Sequence, residues 1–305
     1  MIHGLRPALA EAGKIKIGGL GKEQTSRKGN KFRAPQKFTS FCITKTHRDT
    51  RTGDLVIDEE LMGALPKDQD GKVREIPIVL HSDNIEAVFP TAYAYYGGRK
   101  LECTGDGKEA TKWNDQRTEK VTCPCPCPLL GATGNKVCKP HGTLHCTIAL
   151  PGYAVAGAVY KWRTTSIISI QRMVGSLQQI LATVGVLRGV PLTLKVEPVT
   201  VSPGSTTTTV YCCHIELKAR DVSQVQRDAF EAAKVRRDLA QGVDLDAQYL
   251  QLVAPPGLDE SPAEQAEIAE EFYPTTEQGA PEGSRVNSVT KRLQEKLGTL
   301  PVDPK

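Results

Sequence analysis

Residues 164–184 read T-T-S-I-I-S-I-Q-R-M-V-G-S-L-Q-Q-I-L-A-T-V, and this stretch decides the fold class. Ile167, Ile170, Val174, Leu177, Leu181 and Val184 recur at steps of three and four, which gathers them on one face of an α-helix. Thr164, Thr165 and Ser166 offer hydroxyls to cap its first turn. On either side of this helix the apolar period falls to two. Strands are expected around Ile15 and Ile17, over 37–46, and over 75–80 with Ile76 and Ile78 facing one way. Residues 92–96 turn through Gly97-Gly98 into 100–104 as a hairpin, and 143–149 and 157–162 continue the sheet. Residues 192–201 and 207–217 pair antiparallel around Ser202-Pro203-Gly204-Ser205, with Cys212 and Cys213 pointing to opposite faces of the second strand. The reading is an α+β protein: an antiparallel, sheet-rich body, one main amphipathic helix, and a cysteine segment in the loops.

That segment runs from Cys123 to Cys146 and holds five of the nine cysteines, Cys123, Cys125, Cys127, Cys138 and Cys146, with His141 and His145 among them. Thiolate and imidazole are the donors Zn²⁺ prefers, and four of them close a structural tetrahedral site. The alternating prolines stiffen the Cys-x-Cys-x-Cys stretch into extended backbone. The turn at 131–135 then swings Cys138 back toward it. Two or three of Cys123, Cys125 and Cys127 are expected as ligands together with Cys138, and His141, Cys146 or Cys103 is left open as the residue that completes the shell. A disulfide framework is disfavoured by the odd cysteine count and by a chain of 305 residues, long enough to bury its own core. A catalytic zinc is disfavoured too. No H-E-x-x-H occurs, Pro128 stands where the deaminase pattern needs its second cysteine, and 123–146 contains no Asp or Glu.

Charge is distributed unevenly. The formal net charge is +4, yet residues 255–285 carry eight acidic groups against Arg285 alone, so the rest of the chain is basic. Between Lys14 and Lys45 the cations Lys14, Lys16, Lys22, Arg27, Lys28, Lys31, Arg33, Lys37 and Lys45 face only Glu23, and Phe32, Phe38 and Phe41 are interleaved. Cations release counterions on binding phosphates, and aromatic rings stack on exposed bases. Lys22, Arg27, Lys28, Lys31, Phe32, Arg33 and Lys37 are therefore the candidate contacts to single- or double-stranded DNA, on stretches whose glycines (18–21 and 29) suggest flexible loops. The same residues also suit a strand with solvated lysines.

Composition changes beyond Arg220. Residues 221–254 suit a helical extension of the 1–220 body. Residues 255–305 read as an acidic, Pro-rich tail that lacks the aliphatic side chains to pay for ordering, with a transient helix near 263–272 and a short amphipathic one over 286–297. No apolar run reaches membrane-spanning length and no signal-like segment opens the chain, so a soluble, cytoplasmic protein is expected.

Several stretches together resemble a known family. They are K-I-K-I-G at 14–18, L-E-C-T-G-D-G-K-E-A at 101–110, the cysteine segment running into C-K-P-H-G-T-L at 138–144, W-R-T-T-S at 162–166, and G-V-P-L-T-L at 189–194. They are similar to the phage recombination directionality factor-like family over roughly residues 10–220. Prophage members of that family often carry loose hydrolase or metal-binding labels. The resemblance implies a phage or prophage protein that binds a large serine integrase and switches it from integration to excision, without catalysis of its own. Two other functions stay open at this point: a DNA-binding protein of phage replication or recombination, and a metal-dependent hydrolase.

Overall fold

The computed structural model describes residues 8–25, 31–98, 100–113, 119–123, 127–129, 137–153, 155–202, 207–253 and 260–273. In chain order the elements are β1 (Ala10–Thr25), β2 (Lys31–Arg48), β3 (Leu55–Ile57), α1 (Glu59–Ala64), β4 (Glu75–Val79), α2 (Ile85–Val88), β5 (Thr91–Gly97), β6 (Lys100–Gly105), β7 (Glu109–Lys112) and β8 (Glu119–Thr122). There follow β9 (Lys139–Ile148), β10 (Ala158–Thr164), α3 (Ile167–Val184), β11 (Leu192–Val201), β12 (Thr208–Glu216), α4 (Val222–Ala240), α5 (Leu245–Leu252) and α6 (Pro262–Phe272).

The main sheet runs β3-β2-β1-β10-β9-β5-β6-β7-β8. Its pairings are antiparallel except β1 with β10, which lie parallel with Ile15 opposite Trp162. β9 is the branch point. Its first residues pair with β5, its middle with β10, and Thr147 and Ile148 with β4, which leads on to β11 and β12. The expected α+β class and antiparallel sheet are what the chain forms.

One face of this sheet builds the core. Ile15, Ile43, Leu144, Cys146, Ile148 and Trp162 pack with Ile170, Met173, Leu177, Ile180 and Val184 of α3. The helix begins where Ser166 Oγ accepts the Ser169 amide and ends at Gly185, whose φ of 88° is left-handed backbone that glycine adopts without a Cβ clash. Its buried stripe centres on Met173 and Ile180, while Val174 and Leu181 flank it. Two serines of α3 also tie down β12: Ser169 Oγ accepts the Cys213 amide at 3.3 Å and Ser176 Oγ that of Ile215 at 3.2 Å. These amides would otherwise be open donors at a strand edge.

Two expectations are corrected. The glycines at 18–21 do not form a loop. β1 runs through them to Thr25, because Gly18, Gly19 and Leu20 pair across to Lys37, Gln36 and Pro35 of β2. Cross-strand partners override the weak strand propensity of glycine. Nor is the acidic tail unstructured throughout. Residues 260–273 pack against the body through α6, which buries Ile268 and Ala269. α5 is anchored as well: the Asp246 carboxylate accepts bonds from Ser82 Oγ, the Asp83 amide at 2.9 Å and the Arg188 guanidinium at 2.6 Å. The expected helix over 286–297 lies outside the described residues. Among those described, no helix is long and apolar enough to cross a membrane.

Candidate functional site

Strand alternation puts Ile15 and Trp162 in the core, and therefore turns Lys14, Lys16, Lys161 and Arg163 to the opposite face of the sheet. α6 lies across that face. Its glutamates at 264, 267 and 271 form one acidic stripe, which Glu260, just before the helix, extends toward Arg163. Glu267 takes Lys14 at 2.6 Å, Lys16 at 2.5 Å and Arg48 at 3.4 Å. Glu271 takes Lys16 at 3.0 Å, and Glu264 takes Arg163 at 3.0 Å and Lys161 at 3.5 Å. Glu11 joins from β1, 3.3 Å from Lys161 and 3.7 Å from Lys14. Burial alone would raise the Glu264 and Glu267 carboxyls. The facing cations win, and both fall to about 2.

Beside the ion pairs is an aromatic slot. Tyr273, just past α6, enters between Tyr96 and His141, with ring centroids 5.3 and 5.8 Å away. Lys139 Nζ stands 4.7 Å over the Tyr273 ring. The Tyr273 hydroxyl donates its one proton to Ala94 O at 2.7 Å, so it accepts from Nε2–H of His141, also at 2.7 Å. Burial, then Lys139 and Arg163, lowers the His141 pKa to about 3, and the ring is neutral. His145, on the same strand, is likewise lowered to about 3 by burial, Lys161 and Arg163. Its Nδ1 has no hydrogen-bond partner among the described residues.

The cysteine segment divides. Cys123 follows β8, its amide bonded to Lys108 O, and Cys138 precedes β9, its amide bonded to Leu129 O. Burial, with Cys127, Cys103 and Cys123 close enough to add to it, pushes the Cys138 thiol up to about 12. Cys103 on β6 is raised by burial and by Cys127. These four thiols therefore share one neighbourhood, although among the described residues no three of their sulfurs close to within 4.8 Å of one another. Cys125 lies outside the described residues. His141 is engaged by Tyr273, and Cys146 is a core residue whose Sγ sits 3.9 Å from Tyr160 O.

Of the candidate DNA contacts, Arg27 and Lys28 lie outside the described residues. Lys22, Lys31, Phe32, Arg33 and Lys37 fall on the β1–β2 hairpin, whose distal half (Gly18–Thr25 with Lys31–Lys37) pairs with no third strand among those described. Sequence reading passed over one further cluster, Glu197, His214 and Glu216 on the β11–β12 hairpin, whose ligand-type atoms lie within 4.8 Å of one another. It is already neutralised by Arg172 on Glu197 and by Lys195, 2.9 Å from Glu216.

The chain belongs to the Gp3-like family, described as recombination directionality factor-like, whose sequence model matches residues 12–218. No curated protein matches the chain at a significant level. The family match includes the basic sheet face and the cysteines, and stops before α4, α5 and α6.

Proposed function

We propose that this protein is a non-catalytic accessory factor of phage DNA recombination that binds a serine integrase, or the integrase–DNA complex, and biases the direction of its reaction. Family membership over residues 12–218 is the observation that carries this reading. The distal β1–β2 ribbon supports a DNA contact. A two-stranded ribbon fits the major groove, and this one carries Lys22, Lys31, Arg33 and Lys37 against Glu23, with Phe32 among them. The cations neutralise phosphates, and their contribution is sequence-independent and salt-sensitive.

A structural zinc is part of the same proposal. Cys103, Cys123, Cys127 and Cys138 are four thiols, a complete tetrahedral donor set, and their mutual influence on Cys138 supports the grouping. An ion held there supplies no chemistry beyond cross-linking. Through such an ion the four residues would fasten the β6–β7–β8 meander to the start of β9.

The test is a native-gel mobility assay with the integrase of the same mobile element and its recombination-site DNA. A slower band that requires protein, integrase and DNA together supports the proposal. Unchanged integrase–DNA mobility at every protein concentration overturns it.

A further inference from the structure

The sheet face beneath α6 is a costly way to seat a helix. Lys14, Lys16, Lys161 and Arg163 are all largely buried there, and removing each charge from water is repaid only by close anionic partners. An apolar face would hold a helix without that penalty. We propose that this face is a binding surface for single-stranded nucleic acid, and that α6 with Tyr273 is a built-in occupant that lifts to admit it.

The chemistry of the occupant points to the ligand. α6 brings carboxylates in series to a row of cations. Tyr273 brings a flat ring whose polar edge is read by His141 Nε2 and Ala94 O while Tyr96 and Lys139 contact it. A single nucleic-acid strand offers the same pair of features, regularly spaced negative charge and planar rings with hydrogen-bonding edges. A plain acidic polypeptide supplies the first alone.

The fit of α6 is also incomplete. On the same sheet face His145 Nδ1 is buried with no hydrogen bond among the described residues, and Arg163 Nε comes only to ion-pair distance, 4.0 Å, from Glu260 Oε1. Such groups are costly to leave unmade, and a ligand with phosphate and base acceptors offers them partners. Finally, the family match takes in the strands that carry the face and ends before the helix that covers it. The cover lies outside the matched region.

The experiment uses the full chain and a Glu264→Gln/Glu267→Gln variant, each titrated with fluorescein-labelled oligo-dT at low and high salt. Emission of Trp113, which packs against the α6 cluster, reports undocking. The expected result is a shift in Trp113 emission and about tenfold or greater tightening, since a closed face lowers apparent affinity by the fraction of time it is open. Adding Lys16→Gln/Lys161→Gln to that variant should remove the gain. Arg33→Gln/Lys37→Gln on the ribbon should leave it in place, which separates this face from the ribbon contact proposed above. Three results overturn the inference: α6 released with no gain in affinity, α6 still docked in the variant, or poly-glutamate binding as tightly as oligo-dT.

Discussion

Lys14 of β1 is the direct register partner of Lys161 of β10, and both are buried, at 5% and 6% exposure. Like charges placed side by side on neighbouring strands repel. The arrangement holds because Glu11 reaches both ammonium groups from the sheet itself, while Glu267 and Glu264 reach them from α6. The tail helix and the parallel pairing at the centre of the sheet are thus electrostatically coupled, across more than a hundred residues of sequence.

Glu267→Gln tests that coupling. It leaves Lys14 and Lys16 short of their shared counter-charge, and loss of one partner of a buried pair costs up to about 3–5 kcal/mol, less here because Lys16 keeps Glu271. The expected outcome is an early transition in Trp113 fluorescence during urea unfolding, ahead of the loss of far-UV ellipticity. A single coincident transition with an unchanged midpoint would contradict it.

Acidification should undock α6. Glu264 and Glu267 fall to about 2 in the docked state, below the ordinary carboxylate value of about 4.3. Their contribution is therefore complete above about pH 4.5 and is lost as pH falls toward 2. His141 and His145 act in the same sense: held neutral down to about 3, they oppose protonation that the exposed rings accept below about 6.5. The Trp113 urea midpoint should fall from pH 7 to pH 5 and again to pH 4. A midpoint that rises on acidification would refute this assignment.

The cysteines should separate into two classes. Cys103→Ser or Cys138→Ser should abolish stoichiometric zinc and lower the melting temperature by several degrees. Cys146→Ser should keep the zinc and destabilise by placing a hydroxyl in the core, where Cys146 is fully buried. Metal analysis of the purified variants decides it, and full zinc in Cys138→Ser would remove that residue from the ligand set.

Gly142 lies where β9 presses on α2 and α3. A Cβ there would stand 2.5 Å from Phe89 Cζ and 3.3 Å from Ile170 Cγ1. Gly142→Ala should therefore cost about 1–3 kcal/mol through overpacking, read as a lower urea midpoint with unchanged slope. A neutral effect would mean that Phe89 gives way freely.

The sequence was most legible where periodicity is local. α3 is plain in its three- and four-residue steps, and the pairing of β11 with β12 in the alternation on either side of the Ser-Pro-Gly-Ser sequence. It was least legible where stability is non-local. The glycines at 18–21 carry strand signal only through β2, and the parallel pairing of β1 with β10 leaves no mark in either segment alone. α6 was underrated because its anchors are ion pairs, which a count of aliphatic residues does not register. Yet its signals were present: the Ser261–Glu264 capping box, Pro262 in the first turn, and glutamates in steps of three and four. The cysteine cluster was visible as chemistry, but the grouping of Cys103 with Cys138 depends on how β6 and β9 are brought together by β5.

The most direct measurement is excisive and integrative recombination by the serine integrase of the same mobile element, run on paired-site plasmids with and without this protein. The proposed role predicts that adding the protein turns on excision and suppresses integration, in proportion to its ratio to integrase. Equal yields in both directions at every ratio would contradict it.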